Sequence, residues 1–236
     1  MTAELRMRLR AFSLLAAALL VTRSAAAQVG HDPASSPYRT LRYGQFIGAS
    51  AGYFNGVGGE IGAAPHKGMM VGLRYDFLAA GTITIGLQGS YGRLDRFIID
   101  PTQPIETAKS GPVKQSVTFV EGILQFNLTG GKSWHRIAPF VSGGFGLVLA
   151  GRTDEDFKFR TKLAITPGAG ARIFLADRLF LKVEARSTFW QISYPASFRI
   201  PPASDPGQPA VASGAKEWVT NGWYSVSLSY AFHRPF

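Results

Sequence analysis

The chain contains no cysteine. Disulfide scaffolds, thiolate zinc sites and cysteine nucleophiles are therefore excluded, and the fold must hold without covalent staples. After residue 27 no apolar run approaches the roughly 18 residues of a helical span. Any membrane crossing by residues 28–236 falls to strands, because only helices and closed barrels satisfy every backbone group in lipid. Histidine is scarce, with only His31, His66, His135 and His233. No metal-ligand spacing, phosphate-binding loop or dinucleotide fingerprint is present, so no cofactor, metal or catalytic residue is assigned. The net charge of +10 comes without a Lys/Arg run or an RNA-binding motif. That argues against nucleic acid and for basic loops facing an anionic surface.

The amino terminus has Arg6, Arg8 and Arg10, an apolar run from Ala11 to Val21, and Ala25-Ala26-Ala27. A basic start, a short apolar core and an Ala-x-Ala end predict a secretory signal peptide over residues 1–27, cut between Ala27 and Gln28. This segment carries four arginines against Glu4, so residues 28–236 keep +7 of the +10. Residues 28–40, with Pro33 and Pro37, read as a short leader.

Over residues 41–236 the dominant signal is alternation. From Trp223 to Phe232, the residues Tyr224, Val226, Leu228, Tyr230 and Phe232 share one face, and Ser225, Ser227, Ser229 and Ala231 the other. Successive side chains of a strand point to opposite faces, and ten tilted residues cross a bilayer. The cleanest pattern is Gly68 to Phe77, with Met69, Val71, Leu73, Tyr75 and Phe77 opposed to Gly72, Arg74 and Asp76. Similar stretches fall near 43–53, 82–91, 116–128, 136–149, 162–175 and 179–189, giving eight predicted strands. Their connections alternate long and short, as in an up-and-down barrel with short periplasmic turns and long outer loops. A soluble eight-stranded barrel would place its large apolar residues inside. Here one face is Gly, Ser, Thr and charge and the other Tyr, Phe, Leu and Val, so the polar face is expected to line a wet interior and the apolar face to meet lipid. The predicted class is all-β, an eight-stranded antiparallel up-and-down transmembrane β-barrel.

Several short motifs resemble those of the eight-stranded outer-membrane barrel family, the OmpA transmembrane domain and its opacity-type, porin-like relatives. Pro139-Phe140-Val141-Ser142-Gly143-Gly144-Phe145-Gly146 is similar to that family's Pro-aromatic-Val-Gly-x-Gly-x-Gly strand. Gly168-Ala169-Gly170-Ala171-Arg172 and Lys182-Val183-Glu184-Ala185-Arg186 are similar to the next two strands. The resemblance implies a monomer in the outer membrane of a double-membraned bacterium. It also implies contact with outer-membrane lipid including lipopolysaccharide, and insertion by the barrel-assembly machinery. Tyr230 and Phe232 resemble the family's carboxy-terminal assembly signal, although His233-Arg234-Pro235-Phe236 follow, so Phe236 is an alternative end of that signal.

The candidate functional set is the inward charge network of Arg74, Asp76, Glu121, Arg172, Lys182, Glu184 and Arg186. Two readings are open for it: a salt-bridged plug, since eight strands leave room only for side chains, or a gate whose ion pairs exchange partners. Glu121 and Glu184 are poor acid/base candidates, because neighbouring cations keep carboxylates ionised. His66 alone falls near the outer rim, where a lipid-modifying enzyme would need it, and no serine adjoins it in sequence. Trp134, Tyr53, Tyr75, Tyr91, Trp190 and Tyr194 are expected in interfacial aromatic girdles. The expected role is non-enzymatic, structural or in contact with a surface ligand through the outer loops, with the proline-rich loop 191–217 foremost. A narrow channel is the alternative, and a lipid-modifying enzyme a weaker one.

Overall fold

The β pattern closes on itself. In the computed structural model, which describes residues 36–104, 106–151, 157–203, 206–212 and 214–232, the described residues from Tyr38 onward form one compact unit. Its strands are β1 (Tyr38–Thr40), β2 (Gln45–Gly56), β3 (Lys67–Leu78), β4 (Ile83–Ile99), β5 (Lys109–Asn127), β6 (Lys132–Trp134), β7 (Ile137–Ala150), β8 (Lys162–Phe174), β9 (Leu179–Ser193) and β10 (Lys216–Phe232). Eight of them form an antiparallel ring, β2-β3-β4-β5-β7-β8-β9-β10, closed by β10 pairing with β2. All edges are thereby paired, the condition for strands to cross lipid. The signal-peptide assignment at Ala27 and Gln28, and the alternative assembly residue Phe236, lie outside the described residues.

All eight predicted strands exist, and the predicted faces are correct. Cross-strand registers place matching residues in rows: Met69–Tyr53–Tyr224, Val71–Ala51–Val226, Leu73–Ala49–Leu228, Tyr75–Ile47–Tyr230 and Phe77–Gln45–Phe232. The large side chains of these rows are exposed on the outer wall. Five rows span about 26 Å along a strand, or roughly 20 Å of height once tilted, close to the apolar band of a transmembrane barrel. Tyr53, Tyr91 and Tyr224 edge this band toward the long loops. Tyr75, Phe77, Tyr230 and Phe232 edge it toward the short turns, and all are exposed.

A cation in the middle of this band meets hydrocarbon. Leu73→Arg is therefore expected to destabilise the barrel by about 2–4 kcal/mol in lipid vesicles, measured by urea unfolding. A change below about 0.5 kcal/mol, the scale of an ordinary surface substitution, would mean that this face is not in lipid.

Three features depart from the sequence expectation. The expected loose leader ends in structure: β1 pairs with β6, Tyr38 opposite Trp134 and Thr40 opposite Lys132. Several strands run further than their alternation suggested, β4 to Ile99, β5 from Lys109 and β10 from Lys216. They continue above the apolar band, where both faces can be polar and the alternation fades. Finally, the interior is not the uniformly wet, polar space expected. Phe54, Met70, Leu94, Val117, Phe119, Val148, Trp190 and Trp223 also point inward, and they form one buried apolar cluster.

Candidate functional site in the barrel lumen

The inward phase of β3, β5, β8 and β9 buries all seven charged residues singled out in the sequence. They sort into two groups. In the first, Arg74 Nε lies 2.7 Å from Asp76 Oδ1 and Arg74 Nη1 lies 3.4 Å from Glu184 Oε2. Lys182 Nζ stands 3.8 Å from Asp76 Oδ2 and 3.7 Å from Glu184 Oε2. In the second, Arg186 Nη1 donates to Glu121 Oε2 at 3.1 Å, and Thr166 Oγ1 donates to Glu121 Oε1 at 2.8 Å. Arg172 makes no ion pair among the described residues. Its Nη2 donates to Thr84 Oγ1 at 3.4 Å, and its guanidinium lies over the Phe46 ring at 4.8 Å.

Neutral residues complete the network. Arg74 Nη2 donates to Gln125 Oε1 at 3.1 Å, Gln125 Nε2 to Asn127 Oδ1 at 3.0 Å, and Ser142 Oγ to Glu184 Oε1 at 3.1 Å. Gln125, Asn127, Ser142, Thr84 and Thr166 carry the same inward phase as the charges, so alternation was the signal that located them. Their part in the network was not legible, because phase tells which face a residue occupies and not which opposite wall it reaches. The small inward glycines leave room for these long side chains. A Cβ at Gly86 would overlap the Asp76 carboxylate, and one at Gly144 would overlap Thr166 Oγ1.

Above the charges lies an aromatic tier. Phe54 stacks on Trp190 at 5.6 Å and 14°, Phe119 packs against both Trp190 and Trp223, and the Arg186 guanidinium lies 4.0 Å over Trp223. This corrects two girdle assignments. β9 continues past Phe189 to Ser193, so Trp190 keeps the inward phase of Lys182, Glu184 and Arg186, and it is fully buried. Tyr194 also turns inward. Trp134, Tyr53, Tyr75 and Tyr91 are exposed as expected.

The loop end is covered as well. The connection 194–215 folds Phe198 and Val211 into the apolar cluster, and Phe157 and Phe159 enter it from the connection before β8. Two loops are joined by a small latch. Tyr194 Oη donates to Glu217 Oε2 at 2.6 Å, the Glu60 amide donates to Glu217 Oε2 at 3.0 Å, and Glu60 Oε1 accepts from the Ala212 amide at 3.1 Å. Burial, then the adjoining Glu217 carboxylate, raises the Tyr194 phenol above its ordinary range. Gly58, Gly59 and Gly62, at φ of +72°, +84° and +73°, give the 57–66 loop the tight left-handed path that brings Glu60 there. His66 is buried in the same loop, its Nδ1 3.0 Å from Ala64 O and its ring stacked on Phe97 at 5.7 Å. Among the described residues no serine or carboxylate hydrogen-bonds to it, and no cluster of metal-ligating side chains occurs.

A closed up-and-down barrel with an apolar outer band and a filled lumen is a membrane-spanning barrel. No protein-family model matches the chain, and no curated relative matches it. Solved structures do. The outer membrane protein OprG from Pseudomonas aeruginosa matches with a TM-score of 0.50 at 15% identity, over 83% of this chain and 99% of that one. Neisserial surface protein A gives 0.49 at 10%, over 80% and 97%, and outer membrane protein W of E. coli 0.47 at 14%, over 81% and 99%. At these identities the likeness is one of fold: this chain has the eight-stranded barrel fold found in outer-membrane proteins.

Proposed function

We propose that this chain is an exported, non-enzymatic barrel of the bacterial outer membrane, with a sealed lumen and a working surface on its outer loops. The observation that carries this reading is the filling of the lumen: ion-paired residues, the Phe54–Phe119–Trp190–Trp223 tier and the infolded loops succeed one another along its length. Lipid, including lipopolysaccharide, surrounds the apolar band in this reading. The barrel-assembly machinery recognises the end of β10 through Tyr230 and Phe232. Beyond the band the loop end presents Val57, Ile200 and Trp218, exposed to 70, 63 and 60%. Large apolar side chains held in water are the kind of feature a protein partner covers, so contact with a surface ligand is assigned to this end.

The deciding experiment is single-channel conductance of refolded protein in a planar bilayer, with a boiled/unboiled gel shift to confirm folding. The expected result is a folded, silent protein. Steady or flickering openings would overturn the sealed reading in favour of a gated narrow channel. One observation favours that second reading: Lys182 Nζ sits 3.7 and 3.8 Å from two carboxylates and makes no hydrogen bond among the described residues, the loose arrangement from which partners exchange.

A further inference from the structure

At the short-turn end, outside the lumen network, lies a pocket of about 490 Å³. Its walls come from three separate pieces of chain: the segment from β1 into β2, the β6–β7 turn and the β8–β9 turn. The β1–β6 ladder holds the first piece across the barrel mouth, with the Leu41 amide donating to Gly131 O at 2.8 Å. The β6–β7 turn reaches the pocket through a bend in which His135 and Arg136 adopt φ of +47° and +67°. Non-glycine residues occupy that region at a cost and are enriched where function demands them.

The lining combines two chemistries. Arg39, Arg42 and Arg136 all line one opening, and Asp177 is the sole acid among the lining residues. None of the three arginines makes an ion pair among the described residues. The Arg136 side chain makes one bond, donating from Nη1 to Leu175 O at 3.4 Å. The other half of the lining is apolar, with Phe46, Phe174 and Tyr43. Phe46 is buried and backs onto Arg172, whose Nε and Nη1 are buried without a hydrogen-bond partner among the described residues. A fourth cation therefore stands behind the aromatic floor.

Like charges gathered at one opening repel unless an anion joins them. Three planar forks supply more donors than the two oxygens of one carboxylate can accept, and match the three or more oxygens of a phosphate. The aromatic half calls for an apolar group next to that phosphate. We propose that this pocket binds an organic phosphate, its charge held by Arg39, Arg42 and Arg136 and its apolar portion against Phe46 and Phe174. Two sources carry this chemistry. The pocket adjoins the lower edge of the lipid-facing band, since Phe46 follows Gln45, which pairs with Phe77 and Phe232. A phospholipid headgroup reaches that level, and so does a soluble phosphate ester.

The test uses the refolded chain in maltoside micelles, which carry no phosphate. Binding of phenyl phosphate is followed by calorimetry, and phosphatidylglycerol is added to the micelles to follow the unfolding midpoint by gel shift. Both are compared with R42Q/R136Q and, as a milder second variant, R39Q; all three positions are exposed, and the gel shift confirms that each variant folds. If the source is soluble, phenyl phosphate binds, and binding weakens at least tenfold in the double variant and about threefold in R39Q. If it is lipid, phenyl phosphate is silent and phosphatidylglycerol raises the midpoint of the parent but not of the double variant. Equal responses in parent and folded variants, or none to either probe, would overturn the site. Inorganic phosphate binding as tightly as phenyl phosphate would overturn the apolar half of the assignment.

Discussion

Glu121→Ala is expected to destabilise the barrel by about 3–5 kcal/mol, because it leaves Arg186 charged, buried and unpaired. Glu121 and Arg186 are both almost wholly buried, and this is the single ion pair that either makes among the described residues. Among the described residues its other two guanidinium nitrogens, Nε and Nη2, have no hydrogen-bond partner, so Arg186 would keep its stacking on Trp223 and only the more distant attraction of Glu184. The measurement is urea unfolding of the refolded protein in vesicles, with the Arg186→Met and double variants closing a thermodynamic cycle. Removing both charges is expected to recover most of the loss, because the cost of Glu121→Ala lies in the stranded cation rather than in the pair. A double variant as unstable as Glu121→Ala, or a single variant within about 0.5 kcal/mol of the parent, would show that water reaches this pair and that the lumen is not sealed there.

The second large effect is expected at Trp190. Trp190→Ala removes the ring that joins Phe54, Phe119 and Phe159, tying the β2, β5 and β9 walls to the infolded segment before β8. Truncating a fully buried aromatic costs about 3–5 kcal/mol through lost transfer energy and the cavity left behind. Trp134→Ala is the control: Trp134 is 47% exposed, and its loss is expected to cost less than about 1 kcal/mol. The comparison separates the two places a barrel tryptophan can occupy. Equal, small effects would return Trp190 to an interfacial girdle and remove the aromatic tier from the lumen. In the bilayer experiment, brief openings of Trp190→Ala alone would show that this tier, and not the ion pairs below it, is the seal.

The two substitutions probe different parts of one interior, and their legibility differs. Arg74 and Asp76, and Lys182, Glu184 and Arg186, stand out in the sequence as charges on every second residue opposite an apolar face, and Glu121 and Arg172 as single charges on the polar face of an alternating stretch. Trp190 and Trp223 do not stand out. An aromatic residue near the end of a strand reads as interfacial from composition, and only the length of β9 shows that Trp190 keeps the phase of the charges. The loop 194–215 is similar. Its prolines marked it as a long connection to the outside, yet Phe198 and Val211 return into the mouth, and no periodicity announces such a return. The arginine-lined pocket assembles from three pieces spread over more than 130 residues of sequence, so no local pattern could bring Arg42, Arg136 and Asp177 together.

The sequence by itself determined the class of the molecule: no apolar helix length after residue 27, eight alternating stretches, and the side of each strand that meets lipid. Alternation is a property of a single strand, and lipid acts on each strand alike, so one chain suffices to read it. The tertiary structure decided the rest: that the ring closes between β10 and β2, that the charges divide into an Arg74–Asp76–Lys182–Glu184 group and a Glu121–Arg186 pair, and that aromatic side chains fill the space above them. These depend on the stagger and tilt with which strands meet across the lumen. Contacts between opposite walls are set by closure of the whole barrel, which no single strand contains.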